Sequence, residues 1–573
     1  MRDISRRDFL AGSVGVLSGF IYSSKVEAEN SSAWRHIREW SKEEVGKYSQ
    51  WIANLYEVKK KGTTKQKLAN INQMFSDDEM NLLNNADFLE EGNSQLSKAD
   101  LNLINASNHC GSFPKLVFNY YSYRRGLPAS TTKIKMERGG DIRYSQGNHP
   151  IEVISSVPFN GGFSDYLNAG MNGISGWYNF VSGNFRTAPN LEDTDSVPVK
   201  IDRESLVPGV MVYNANGHCL VVGKIDDSGE VHFLDAHPDR SITFNQTLSA
   251  IPSVIGISEG DFIEGNVKRA YDGFRAMRLS KIEEGKGRYF SNEEMKEFGF
   301  SLDQYVSMNA INELRDSGGL EVNGLKVTSF PQFVRARLQI GVEKPLTFLE
   351  ITIKELGQMF RERAEFVQES WEEVLSNGPI VFPNDSSSEN IYQANGRWEE
   401  WSSPSSDVDR KYKYNYLGTR LEEMVSGFPN MKGIDYQGFS SKKDLVEAML
   451  ELKDREFASE ILTYETSSGQ IIYLNFNEIE RRLFDLSFNP NHPPELRWGA
   501  PENSLERDKM KLFKVPLRTG ENLDALRAYN LEKGLRFFSE RQTGSTSLNP
   551  ESNPNEPPFD LLELRLRRLL EAE

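Results

Sequence analysis

A chain of 573 residues holds two to four domains at about 100–200 residues each. Hydrophobic residues make up 38% and aromatics 11%, enough to fill several cores, which excludes wholesale disorder. With 67 basic and 83 acidic residues the net charge is −16, and no long Lys/Arg run offsets it, so nucleic acid and anionic lipid are not expected as partners.

The N-terminus reads Ser5-Arg6-Arg7-Asp8-Phe9-Leu10, then an apolar run over 9–22 diluted by Gly12, Gly15 and Gly19, then Lys25 and Val26-Glu27-Ala28. The run is too short and glycine-rich for a stable membrane anchor, and nothing after it approaches the roughly 20 apolar residues of a span. The order of charged region, apolar region and small-residue site resembles the twin-arginine export signal, with Arg6 and Arg7 as the pair; it departs from that pattern at Ala11, where Lys is common. The resemblance implies a signal peptide over 1–28, the twin-arginine machinery as a partner, and a mature chain that is periplasmic or secreted. The alternative is an N-terminal helix of a cytosolic protein. Two cysteines, Cys110 and Cys219, are too few for a disulfide scaffold or a Cys-rich zinc site, although an oxidising compartment makes a disulfide between them the alternative to a free thiol.

Residues 34–106 carry apolar positions at helical spacing, and a second helical face over 116–123 ends at Gly126-Leu127-Pro128. Strands are expected at 151–157, 210–213, 219–225, 231–234 and 274–279, separated by turns such as Asp227-Ser228-Gly229. The Gly/Asn-rich stretch 161–186 reads as an insertion or lid. After residue 281 the pattern is mostly helical: 348–375, 440–453, 477–486 and 523–538, with a loop at 384–407. A Pro/Asn-rich linker at 549–558 leads to a final amphipathic helix over 559–573, read as a docking helix because its polar face mixes both charges. The division is therefore 1–28, 29–281, 282–548 and 549–573. Trp371, Trp398, Trp401 and Trp498 are expected in cores or packed loops rather than on a sugar-stacking surface.

The chemistry concentrates around Asn108-His109-Cys110-Gly111-Ser112-Phe113-Pro114. A thiolate is favoured at a helix N-terminus, where the first amides carry partial positive charge. Cys110 sits where a polar loop gives way to a helix, and the same amides, with Asn108 or Asn105, are candidates to hold an oxyanion. A base comes from Gly217-His218-Cys219, which opens a strand; His218 and Cys219 alternate, so they point to opposite faces. The next strand carries Asp235, 235 − 218 = 17 residues on, close enough by hairpin to orient the imidazole. His237 shares a face with Asp235 and is the reserve third residue. His109 is left out because adjacent residues at a helix start point apart. Each residue alone has a plainer reading: a structural cysteine, a core histidine, a turn aspartate.

Cys110 at a helix start, Gly217-His218 opening a strand and Asp235 ending the next resemble the Cys-His-Asp order of the papain-like superfamily. Arg124-Arg125-Gly126-Leu127-Pro128-Ala129 is similar to a turn of transglutaminase-like proteins, and Pro208-Gly209 leading into Gly217-His218 resembles NlpC-type and CHAP-type amidases. Gly111 departs from branches that carry Trp or Tyr after the cysteine. The resemblance covers roughly residues 100–280. It implies an α+β fold, a helix-borne cysteine packed on an antiparallel sheet, followed by a mostly helical C-terminal region. It also implies an exported cysteine hydrolase cleaving an amide in a peptide, protein or peptidoglycan, with transglutaminase-like acyl transfer as the alternative. An inactive exported binding or scaffold protein is the third reading. No metal or organic cofactor is implied, because the Cys/His/Asp set accounts for the chemistry, and seven histidines do not by themselves point to a metal.

Overall fold

The computed structural model describes residues 33–135, 148–158, 161–171, 177–178, 181–214, 218–237, 240–250, 262–263, 266–267, 273–381, 396–511 and 560–571. The expectations at 1–28 with Arg6 and Arg7, at 523–538 and at 549–558 lie outside these residues.

Helix α1, Lys42–Lys61, starts where the Ser41 hydroxyl accepts the Glu44 amide, and it ends in three lysines that complement its dipole. Its Tyr48, Trp51, Ile52, Leu55 and Tyr56 recur at three- and four-residue spacing, and all are buried. Helix α2, Lys98–Ala106, opens on a capping box of Ser97 and Asp100. Helix α3, Phe113–Arg125, has Pro114 in its first turn, where no intrahelical donor is needed, and is buried along its whole length. Gly126 ends it in the left-handed region at φ +69°, which a side chain would disfavour. A buried ion pair, Arg125 Nε to Glu44 Oε2 at 3.1 Å, fastens α3 to α1.

Strands β1, Ser130–Lys135, and β2, His149–Ser155, pair antiparallel. Helix α4, Phe163–Met171, follows. Next come β3 (Ser196–Pro198), β4 (Met211–Asn214), β5 (His218–Ile225), β6 (Val231–Ala236), β7 (Ile242–Thr243) and β8 (Phe274–Met277). These six form one antiparallel sheet in the order β3-β8-β4-β5-β6-β7. The expected strands are present with boundaries shifted by at most two residues.

Alternation along the strands gives the sheet two apolar faces. Met211, Tyr213, Cys219, Val221, Leu234 and Ala236 join the core built with α1 and α3. Val212, Leu220, Val222, Val231 and Phe233 face the other way. Two further helices, α5 (Asp303–Leu314) and α6 (Phe330–Leu338), cover that second face. Gly209 adopts φ +96°, and a Cβ there would lie 2.4 Å from the Tyr48 ring, so the bend into β4 and the packing of α1 both require glycine.

A separate core begins at Leu349 and unites α7 (Pro345–Asn377), α8 (Pro404–Ser426), α9 (Lys442–Ser459) and α10 (Leu562–Glu571). The final helix docks as expected: Leu562 and Leu566 are buried in this core, and Arg565 pairs with Glu422 at 2.7 Å. All four tryptophans named above are buried. Among the described residues no helix is long and apolar enough to cross a membrane.

Within the stretch 161–186, read as an insertion or lid, Phe163, Tyr166, Leu167 and Phe185 are buried in the core of the first sheet face, because α4 presents an apolar edge at helical spacing; residues 172–176 and 179–180 lie outside the described residues. One expectation is corrected. The loop expected at 384–407 contains helix Arg397–Trp401 and the start of α8. Trp398 and Trp401 are buried there, and Pro404 occupies the first turn of α8.

Candidate functional site

The turn between α2 and α3 holds Cys110. Its backbone is set by short-range bonds: the His109 amide donates to Ser112 Oγ at 3.1 Å, and the Gly111 amide donates to His109 Nδ1 at 3.2 Å. The Ser112 and Phe113 amides both donate to the His109 carbonyl, at 3.0 and 2.9 Å. From the chain beyond β6, the Arg240 guanidinium donates to the carbonyls of Asn105 at 3.3 Å, Asn108 at 3.2 Å and Ala106. Arg240 thereby satisfies the last carbonyls of α2 and ties the cysteine turn to the edge of the sheet.

His218 is the first residue of β5 and Asp235 the fifth of β6. Both fall on the sheet face opposite Cys219, as alternation requires. The turn before α3 reaches the His218 ring, and Cys110 and His218 interact by hydrogen bonding and by charge. On the other side His218 Nε2 donates to Asp235 Oδ2 at 2.8 Å, which leaves Nδ1 for the thiol. Asp235 is buried, and its second oxygen accepts the hydroxyl of Thr243, its cross-strand neighbour on β7. His237 lies 3.4 Å from the same Asp235 Oδ2 and 3.1 Å from Thr243 Oγ1. Its ring stacks on that of His218, centroids 5.2 Å apart. The side chain of His237 is 29% exposed against 13% for His218, so His237 sits nearer the rim.

The electrostatics follow from this geometry. Burial pushes the Cys110 thiol up, but hydrogen bonds from His109 and His218 and the charge of His218 outweigh it, and its pKa falls well below the usual thiol value. Burial would lower His218, yet its bonds to Asp235 and Cys110 hold it well above the ordinary imidazole value. Asp235 is pulled down to about 2 against its burial, by the charge of His237 and the hydrogen bond and charge of His218. These shifts favour a thiolate, an imidazolium and a carboxylate in series. Cys219 is the contrast: burial, with the neighbouring charge of Cys110, pushes its thiol well up. Neither cysteine is in a disulfide.

No family model, curated protein or solved structure matches the chain.

The geometry therefore carries the argument by itself. It brings together Cys110, His218, Asp235 and His237. Asn108 and Asn105 are buried beside the cysteine turn; both polar side-chain atoms of Asn108, and Oδ1 of Asn105, have no hydrogen-bond partner among the described residues. Excluding His109 is corrected: Cys110 and Gly111 lie in a turn that precedes the first helical residue, so the His109 ring folds back onto both instead of pointing away.

Sequence reasoning missed Thr243, Arg240 and the contribution of the C-terminal helices. On α8, the buried carboxyl of Asp409 interacts electrostatically with His218 and Asp235, and burial pushes it up to about 7. On α7, Glu362 accepts from Asn245 Nδ2 at 3.0 Å, while Lys413 of α8 donates to the Asn245 carbonyl. The two helices thus clamp the residues that follow Thr243. No spacing in the sequence announces such contacts, since 362 and 413 lie over a hundred residues from 245. Thr243→Val keeps the shape of the side chain and removes the donor to Asp235. We expect turnover to drop about tenfold, measured as kcat, with an unchanged circular dichroism spectrum.

Proposed function

We propose that the chain is an exported cysteine hydrolase that cleaves an amide bond through a thioester acyl-enzyme, with a papain-like arrangement of Cys110, His218 and Asp235. The observation that carries the reading is His218, hydrogen-bonded to the thiol on one side and to Asp235 at 2.8 Å on the other. The Cys110 thiolate attacks the carbonyl carbon, and the π electrons move to the oxygen. Asn108 Nδ2, buried and without another hydrogen-bond partner among the described residues, stabilises that oxyanion. As the C–N bond breaks, the His218 imidazolium gives its Nδ1 proton to the leaving amine. Water then attacks the thioester, His218 takes its proton, and the acid departs with the thiolate restored. Asp235 keeps the ring oriented and supports its charge throughout.

A peptide, protein or peptidoglycan peptide is the substrate class, and the signal over 1–28 with Arg6 and Arg7 supports twin-arginine export to the periplasm or beyond. Acyl transfer uses the same thioester with an amine in place of water. A primary amine added to the assay separates the two by whether it enters the product. Iodoacetamide at neutral pH tests the reading as a whole: one label on Cys110, none on Cys219, at a rate above that of a free thiol. Slow labelling equal at both cysteines would overturn it in favour of an exported binding or scaffold protein.

A further inference from the structure

We infer that His218, Asp235 and His237 form a divalent-metal site that takes Zn2+ as a reversible inhibitor. Three donors converge there. Asp235 Oδ2 lies 2.8 Å from His218 Nε2 and 3.4 Å from His237 Nε2, and the three ligand atoms all lie within 4.8 Å of one another. Ligands at about 2.0–2.1 Å in a tetrahedron are separated by about 3.3 Å. The observed spacings bracket that value, so an ion fits with small shifts of two imidazole rings. Two imidazoles and a carboxylate suit a borderline cation such as Zn2+ or Co2+.

The surroundings are those of a ligand set. The hydroxyl of Thr243 holds the second oxygen of Asp235 and so fixes the direction of the first. The partial exposure of His237 gives an ion a route in from solvent. The buried carboxyls of Asp409 and Glu362, from α8 and α7, lie close enough to interact electrostatically, Asp409 with His218 and Asp235 and Glu362 with His237. The thiol is outside the set: Cys110 is not among the three groups whose ligand atoms converge.

The ion would take the Nε2 lone pairs of both imidazoles and one oxygen of Asp235, releasing the Nε2 protons to solvent. His218, neutral and coordinated, keeps its remaining proton on Nδ1 and has no lone pair left to accept one from Cys110 or from water. The Asp235–His218 hydrogen bond is lost at the same time. Binding stands independently of any activity; inhibition rests on the cysteine-hydrolase reading.

The test uses the full chain, with Zn2+ titrated in competition with a chromophoric chelator and Co2+ absorption as a report on coordination. We expect one Zn2+ per folded chain and a visible tetrahedral Co2+ band. His237→Gln and Asp235→Asn should each weaken binding at least about tenfold, and Cys110→Ser should leave it unchanged. Zn2+ should also slow alkylation of Cys110 in the wild-type chain, reversibly with a chelator, and not in His237→Gln. No binding at large metal excess, or binding untouched by both ligand variants, would overturn the site. Binding abolished by Cys110→Ser would overturn the assignment of ligands. Binding with an unaltered alkylation rate would overturn the inhibition alone, and turnover lost in Cys110→Ala would still stand for the hydrolase.

Discussion

Replacing Cys110 by Ala is expected to reduce amide hydrolysis by about a thousandfold or more, because no other nucleophile takes over when the thiolate is gone. The fold should survive, since Cys110 is only half-buried in a turn whose hydrogen bonds come from His109, Ser112 and Arg240. Cys219→Ala is the matched control: it touches a core but not the reacting group, and turnover should persist. The pH dependence has a definite sign. The thiolate is the reactive form, and the Cys110 pKa is held well below the usual thiol value. Alkylation should therefore stay fast as pH falls through neutrality, where an ordinary thiol, pKa about 8.5, loses about tenfold per pH unit. A wild-type profile that falls in that ordinary way, with hydrolysis intact in Cys110→Ala, would remove the nucleophile from the proposal.

Asp235→Asn is expected to lower turnover by about two to four orders of magnitude, with His237→Ala costing less. The ranking comes from the distances: His218 Nε2 is 2.8 Å from Asp235 Oδ2, whereas His237 is 3.4 Å from it and nearer the rim. A carboxylate stabilises the imidazolium by a charge-assisted bond. An amide of the same shape supplies no charge, and its NH2, if turned toward Thr243, meets a hydroxyl that now has to reverse. Both variants should retain the wild-type circular dichroism spectrum, and their kcat values decide the order. The reverse ranking would move the orienting role to His237.

Much of the site was legible because its elements are local. A cysteine just before a Pro-containing helix start, a histidine at a strand's first residue and an aspartate one hairpin later are each read from a few neighbouring residues. Period-two alternation put His218 and Asp235 on one face and Cys219 on the other, and the folded sheet keeps that arrangement. The errors also have local causes. A helix rule points His109 away from Cys110, but the residue precedes the helix and follows turn geometry instead. The glycines and asparagines of 161–186 suggest an insertion or lid, and they obscure the apolar spacing by which Phe163, Tyr166 and Leu167 enter the core.

The sequence by itself determined the acidic composition, the twin-arginine-like N-terminal pattern, the order of helices and strands, and the triad candidates. These depend on charge, on periodicity and on the chemistry of single side chains, all of which are properties of adjacent residues. Only the tertiary structure decided that Thr243 holds Asp235, that Arg240 anchors the cysteine turn, and that two histidines share one carboxylate oxygen. It alone brought Glu362, Asp409 and Lys413 of the C-terminal helices against residues 218–245. Contacts of that kind join residues far apart in the chain, and what selects them is the packing of buried faces, for which sequence spacing carries no signal.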